Sequence, residues 1–235
     1  MNNLAIVPVR TESQRFENKY LKTFRGKPLI EHTLCSVINS KLFQKIIVTS
    51  DSDIILESCK KYENKGVELN KRPRKLTRKS STILETIDYF VQSEIKKRSD
   101  YEALGYFLPT VPLRRSKDIV KAFGYLKPEI DSVISITDFE FPPQLGLVLD
   151  SNNLLKCYDA SKPWIHGKTR AKDYERTYRP NGAINLIWWK SFLINKNFFS
   201  GKAVSYYMPR ALSVDLETEL DMLVGEEVIK YFSGK

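Results

Sequence analysis

Cysteine and histidine are scarce in this chain of 235 residues, which holds three of the first and two of the second. Cys35, Cys59 and Cys157 are odd in number, far apart and without a CxxC pair, so neither a disulfide framework nor a cysteine zinc site is indicated, and a reducing compartment fits. His32 and His166 are too few for a histidine-rich metal centre and leave hardly a candidate for a Ser-His nucleophile pair. Long apolar runs are lacking, and the first residues have no basic segment ahead of an apolar one. Neither a membrane span nor a signal peptide is predicted, and the expectation is a soluble, cytoplasmic protein. GxGxxG is absent, which excludes a dinucleotide fingerprint. The Walker pattern is absent too, because Gly26-Lys27 runs into Pro28 and lacks both the earlier Gly and the Ser/Thr.

What the chain does have is positive charge: 38 Lys and Arg against 28 Asp and Glu, a net +10. That balance predicts an anionic partner without choosing among nucleotide, nucleic acid and membrane surface. The charge is placed tellingly in the first stretch, LAIVPVRTESQRFENKYLKTFRGKP. Leu4–Val9 is branched and uncharged, as a strand buried on both faces of a parallel sheet should be. It opens onto a loop bearing Arg10, Arg15, Lys19, Lys22 and Arg25. Ligands of α/β sheets sit at the carboxyl ends of strands, and cations there suit phosphates; a solvated basic loop without a ligand is the alternative.

Apolar periodicity after Pro28 predicts a helix to Ser40, a strand over Lys45–Thr49 and a helix over Ile54–Tyr62 that Ser50-Asp51-Ser52-Asp53 can cap. A third strand at Gly66–Leu69 completes β-α-β-α-β and hence a parallel sheet. Further on, helices are predicted over Ser80–Arg98, Ser116–Lys127 and Leu220–Phe232. Strands are predicted over Ala103–Leu108, Asp131–Thr137, Gln144–Asp150, Ala183–Trp188 and Ala203–Met208. A chain of this length buries one substantial core, so a single domain over 1–235 is expected, with an inserted segment over 139–178 where the pattern loosens. The run Lys71–Lys79 is the densest in cations and raises nucleic-acid binding, although it has no interleaved aromatics to stack bases.

Three ordered blocks carry a family resemblance. Val7-Pro8-Val9-Arg10, Ser13, Lys19 and Gly26-Lys27-Pro28-Leu29-Ile30 resemble the N-terminal motif IIPARxxSxRxPxKNxxxxxGKPLI of the CMP-sugar-acid synthetases, the cytidylyltransferases for sialic-type and Kdo-type acids. Leu108-Pro109-Thr110-Val111-Pro112-Leu113-Arg114 is similar to their LQPTSPLR. Ser213-Val214-Asp215-Leu216-Glu217-Thr218-Glu219-Leu220-Asp221 is similar to SIDIDTELD, and Arg179-Pro180-Asn181-Gly182-Ala183-Ile184 matches RPNGAI. Departures fall at Tyr20, Lys79, Leu108, Lys172, Asn185 and Glu217.

The resemblance implies a three-layer α/β fold of the nucleotide-diphospho-sugar transferase kind, with a mostly parallel sheet between helices and an arm at 139–178 that joins a homodimer. It implies CTP and a 3-deoxy-2-ulosonic sugar acid, sialic-like, as substrates, and CMP-sugar and pyrophosphate as products. Arg10 and Lys19 would be the catalytic cations. Arg10, Ser13, Arg15, Lys19, Arg72 and Thr82 would bind CTP, with the Arg72 fork matched to the N3 and O2 acceptors of cytosine. Leu108, Arg170 and Asn181 would lie on the sugar side. Asp215 and Glu217, two apart on an extended segment, point the same way and could hold Mg²⁺ or Mn²⁺ against a phosphate. The same acidic residues could instead serve the N-terminus of the helix that follows. A Kdo-type or other sugar nucleotidyltransferase, a non-catalytic relative, and a nucleic-acid-binding protein using 71–79 remain as alternatives.

Overall fold

The computed structural model describes residues 2–10, 19–78, 80–97 and 100–233. In chain order its strands are β1 (Asn3–Val9), the two-residue β2 (Thr23–Phe24) and β3 (Lys27–Pro28), β4 (Lys45–Ser50), β5 (Val67–Lys71), β6 (Ala103–Tyr106), β7 (Ser132–Asp138), β8 (Leu147–Leu149), β9 (Leu155–Cys157), β10 (Tyr178–Trp188) and β11 (Ala203–Tyr207). The helices are α1 (Leu29–Ser40), α2 (Asp53–Cys59), α3 (Ile83–Lys96), α4 (Ser116–Phe123), α5 (Trp189–Asn195) and α6 (Glu219–Ser233).

Seven strands form one sheet in the order β11-β7-β10-β6-β1-β4-β5. β1 is parallel to β4 and β6, β4 to β5, and β7 to β11, while β10 runs antiparallel between β6 and β7. The sheet is therefore mostly parallel, as the β-α-β-α-β pattern predicts. Alternation along β1 shows both faces covered. Ala5, Val7 and Val9 join an apolar cluster with Ile30 and Leu34 of α1, Ile55 of α2 and Ile119 of α4. Leu4 and Ile6 join another with Ile87 and Phe90 of α3 and Phe192 of α5. Helices thus cover both faces in three layers. Every residue of β1 is buried, which is why that strand lacks the polar alternation of an exposed sheet.

Local chemistry sets the helix ends. The Ser52 hydroxyl accepts from the Ile55 amide to cap α2, and Thr82 and Glu85 form a capping box at α3. β10 begins at Tyr178, ahead of the expected Ala183, because its register shifts between Pro180 and Asn185 and the strand continues through the irregularity. Gly182 lies in that shift with φ +70, facing Leu108. The expected strand over Gln144–Asp150 shrinks to β8, which pairs with β9 in a separate hairpin. Among the described residues no helix is long and apolar enough to cross a membrane.

Candidate active site

Arg10 stands where β1 ends, half-buried, and its Nη1 donates to the Arg78 carbonyl at 3.3 Å. Arg72 follows β5 and is buried. Its amide donates to the Ser50 carbonyl at 2.7 Å and its Nη2 to the Thr49 carbonyl at 3.1 Å, so the edge of β4 fixes the guanidinium. Its Nε is buried without a partner. Burial lowers the Arg72 pKa; Asp51 opposes that, Arg10 adds to it, and Tyr20 opposes it. A planar donor group held this way, with one donor unspent, is suited to a fixed acceptor edge.

The acidic pole comes from the segment before α6. Leu216 is fully buried with Phe24 and Leu29, and its amide donates to the Thr110 carbonyl at 2.8 Å. The Glu217 amide donates to the Asp215 carbonyl at 3.2 Å, so the chain turns at Leu216 and is not the extended segment that the sequence predicted, yet the two carboxylates stay near enough to act on each other. Solvent reaches Asp215, yet protein crowds its carboxyl. That crowding raises its pKa; the Thr110 hydroxyl, donating to it, lowers it, Glu217 raises it further, and Lys19 and Arg179 oppose the rise. Capping of α6 falls to other residues: the Asp221 amide donates to the Thr218 hydroxyl at 3.2 Å, and Asp221 Oδ2 accepts from the Thr218 amide at 2.7 Å. The acidic pair is therefore not spent on the helix end.

The two poles meet. Lys19, 2% exposed, lies 2.9 Å from Glu217 Oε1. Both poles act on Tyr20, whose hydroxyl stays protonated beyond the ordinary range because burial, Glu217 and Asp215 raise its pKa against Arg72 and Arg10. Lys19 Nζ lies 5.3 Å from the centroid of the same ring, so cations and carboxylates share this neighbourhood. Ser13 and Arg15 lie outside the described residues.

The remaining expected site residues stand apart from this cluster. Thr82 is exposed at the α3 cap. Arg170 is exposed on the arm, paired with Asp173 at 2.9 Å. Asn181 is buried with its carboxamide occupied: its Oδ1 accepts from Ser135 Oγ and the Ala183 amide, and its Nδ2 donates to Ser213 Oγ. It braces β7 and β10 to the segment carrying Asp215. Leu108 is half-buried beside Gly182, two residues from Thr110. Arg114, which the motif places on the site face or at the start of α4, is instead a buried bolt. It donates to Thr33 Oγ1 at 2.7 Å, Ser36 Oγ at 3.3 Å and the Leu108 and Ala183 carbonyls, and burial drops its pKa to about 9.

Within the basic run Lys71 pairs with Asp53 at 2.6 Å, Arg72 is buried, and Lys75 lies 5.1 Å from the centroid of the Tyr89 ring, while Arg74 and Arg78 are exposed.

Among the described residues no group of three or more His, Cys, Asp or Glu could hold a metal by itself. Asp215 and Glu217 offer hard oxygen donors, and their mutual repulsion would be relieved by a cation. Mg²⁺ commonly takes one or two carboxylates and completes its shell with substrate phosphates and water, so this donor set fits a metal shared with a phosphate. Sequence reasoning missed Tyr20, Thr110 and Arg179 as members of the cluster, though the last two lie inside matched motifs.

Comparison with known proteins gives the family and the fold. A family model described as Cytidylyltransferase matches residues 4–175. The N-acylneuraminate cytidylyltransferase of Streptococcus agalactiae serotype V is 30% identical over 230 residues, covering 95% of this chain and 52% of its own length. The chain therefore spans about half the length of that relative. The pseudaminic acid cytidylyltransferase of Campylobacter jejuni serotype O:2 is 28% identical over 224 residues, covering 94% of each chain. A CMP:2-keto-3-deoxy-manno-octonic acid synthetase solved in complex with CTP superposes with a TM-score of 0.67 over 99% of this chain and 100% of that one, at 12% identity, which speaks to the fold.

Proposed function

Since the chain belongs to the cytidylyltransferase family, we propose that it transfers the cytidylyl group of CTP to a nonulosonic sugar acid, giving a CMP-sugar and pyrophosphate. The observation that supports this reading best is the 2.9 Å pairing of Lys19 with Glu217, beside a Tyr20 that feels Arg10, Arg72, Asp215 and Glu217 alike. A triphosphate needs cations along its length and a metal at the reacting phosphate, and cations next to two carboxylates support that reading.

In this reading the anomeric hydroxyl of the acid attacks the α-phosphorus in line and pyrophosphate leaves. Arg10 and Lys19 hold the departing phosphates, with Ser13 and Arg15 of the adjoining loop completing the cradle. Arg72 donates to cytosine and Thr82 lies on the nucleoside side. Asp215 and Glu217 hold Mg²⁺ or Mn²⁺, which when bound neutralises charge that builds on the phosphates. In this reading Asp215 would also accept the proton of the attacking hydroxyl.

The acid side is carried by Leu108 and Asn181, the latter through its brace to the Asp215 segment. Arg170 lies on the arm and would serve the site of a second copy. The arm exposes Leu147, Leu155, Trp164 and Ile165 around a cavity of about 680 Å³, an apolar surface suited to another chain and thus to a homodimer. A cytoplasmic location follows from the proposed use of CTP.

Pyrophosphate release tests the reading, with CTP, UTP, ATP and GTP each offered with N-acetylneuraminic, pseudaminic and Kdo acids. Release is expected with CTP and a nonulosonic acid. Release with Kdo alone would move the acceptor to the octulosonic class, and none with any pair would overturn the proposal.

A further inference from the structure

Among the described residues Lys19 is held by two groups of different kinds. One is the Glu217 carboxylate at 2.9 Å, and the other is the face of the Tyr20 ring, whose centroid lies 5.3 Å from Nζ. The ring is anchored, because it packs against the cluster beneath one face of the sheet and against the Phe24, Leu29 and Leu216 cluster. Leu216 in turn aims Asp215 and Glu217, so Tyr20 shares its footing with the acidic pole.

In the reading above, Glu217 turns to a divalent cation and Lys19 to a phosphate. At 2% exposure the ammonium cannot fall back on water when it leaves Glu217. A ring face is suited to that moment, since it attracts a cation without repelling an approaching phosphate as a second carboxylate would. We propose that Tyr20 is a positioning residue, whose ring face keeps the Lys19 ammonium at the nucleotide phosphates while its charge partner changes from Glu217 to phosphate. The inference rests on the site being a CTP site, and assigns a role to a side chain that replaces the Asn or Pro of the resembling motifs.

Calorimetric CTP titration with Mg²⁺ tests it in the wild type, Tyr20→Leu, Tyr20→Phe, Lys19→Met and the Tyr20→Leu/Lys19→Met double variant. Tyr20→Leu is expected to weaken CTP roughly five- to thirty-fold, the worth of a desolvated cation–ring contact. Tyr20→Phe, which keeps the ring, should restore most of that loss. In the Lys19→Met background Tyr20→Leu should cost nothing further, because its partner is gone. Equal losses in the Phe and Leu variants, a Leu variant that binds as tightly as wild type, or an undiminished Tyr20→Leu effect without Lys19 would each overturn the inference. Wild-type protein that binds no CTP would overturn the nucleotide reading itself, and this inference with it.

Discussion

Lys19 and Glu217 come from opposite ends of the chain and lie 2.9 Å apart, the lysine 2% exposed and the glutamate 44%. The pair is lopsided, and its two halves should respond differently to removal. Glu217→Gln leaves a buried ammonium without counter-charge and should cost about 1–2 kcal/mol, the low side for a broken buried pair because one partner is half wet. Lys19→Met removes the buried charge and returns Glu217 to water, so its cost should be smaller. Thermal melts compare them directly, with about 2–4 °C per kcal/mol for a chain of this size. Equal losses would contradict the buried-lysine account.

Asp215→Asn should raise stability while destroying turnover. Crowding and Glu217 raise the Asp215 pKa above its unfolded value. The contribution of such a carboxyl is present in full when both states are protonated, at acid pH, and is lost as pH rises through the native pKa. At neutral pH the Asn variant should therefore melt higher than wild type, and the gap should close below the ordinary carboxylate range. Pyrophosphate release should fall about 100-fold or more, as when several kcal/mol of charge stabilisation are lost. A melting gap independent of pH would sink the electrostatic explanation.

Arg72→Lys keeps the charge and loses the fork. CTP binding relative to UTP should drop about tenfold in discrimination, within the range set by leaving paired donors and acceptors unmatched. Competition binding with both nucleotides reads the ratio, and an unchanged ratio would remove Arg72 from base recognition.

The arm makes a mixing prediction. Arg170→Ala and Asp215→Asn should each be poorly active alone. Heterodimers formed by refolding them together should regain activity, because one site then has an intact Asp215 and the partner's intact Arg170. If the proposed homodimer forms through the arm, wild type should sediment as a dimer and Leu155→Asp as a monomer in analytical ultracentrifugation, and Leu155→Asp should abolish the regain. No regain on mixing would confine Arg170 to its own subunit or leave it without a role.

Much of the scaffold was readable from composition and period. β1 announces itself by a run without charge, and α3 by its stripe of Ile83, Ile87, Phe90 and Val91. The start of β10 was not readable, because Asn181-Gly182 carries a turn signature and only pairing with β7 shows that the strand runs through it. The acidic pair was legible as two neighbouring carboxylates, but not the turn at Leu216 that joins them, and its freedom from helix capping depends on Thr218 and Asp221 taking that task. Arg114 and Asn181 look like site residues in a motif. Their partners Thr33, Ser36, Ser135 and Ser213 are distant in sequence, and only folding reveals that both side chains are consumed by bracing. Tyr20 gave no periodic signal at all, since the charges that act on it come from three separate segments.

The decisive measurement is the CTP dissociation constant with and without Mg²⁺ in wild type, Arg10→Ala and Asp215→Asn. If one nucleotide bridges the cationic and acidic poles, Mg²⁺ tightens CTP in the wild type, Asp215→Asn abolishes that tightening, and Arg10→Ala weakens CTP whether or not metal is present. Metal tightening that survives Asp215→Asn, together with CTP affinity indifferent to Arg10, would show that the two poles serve no common ligand.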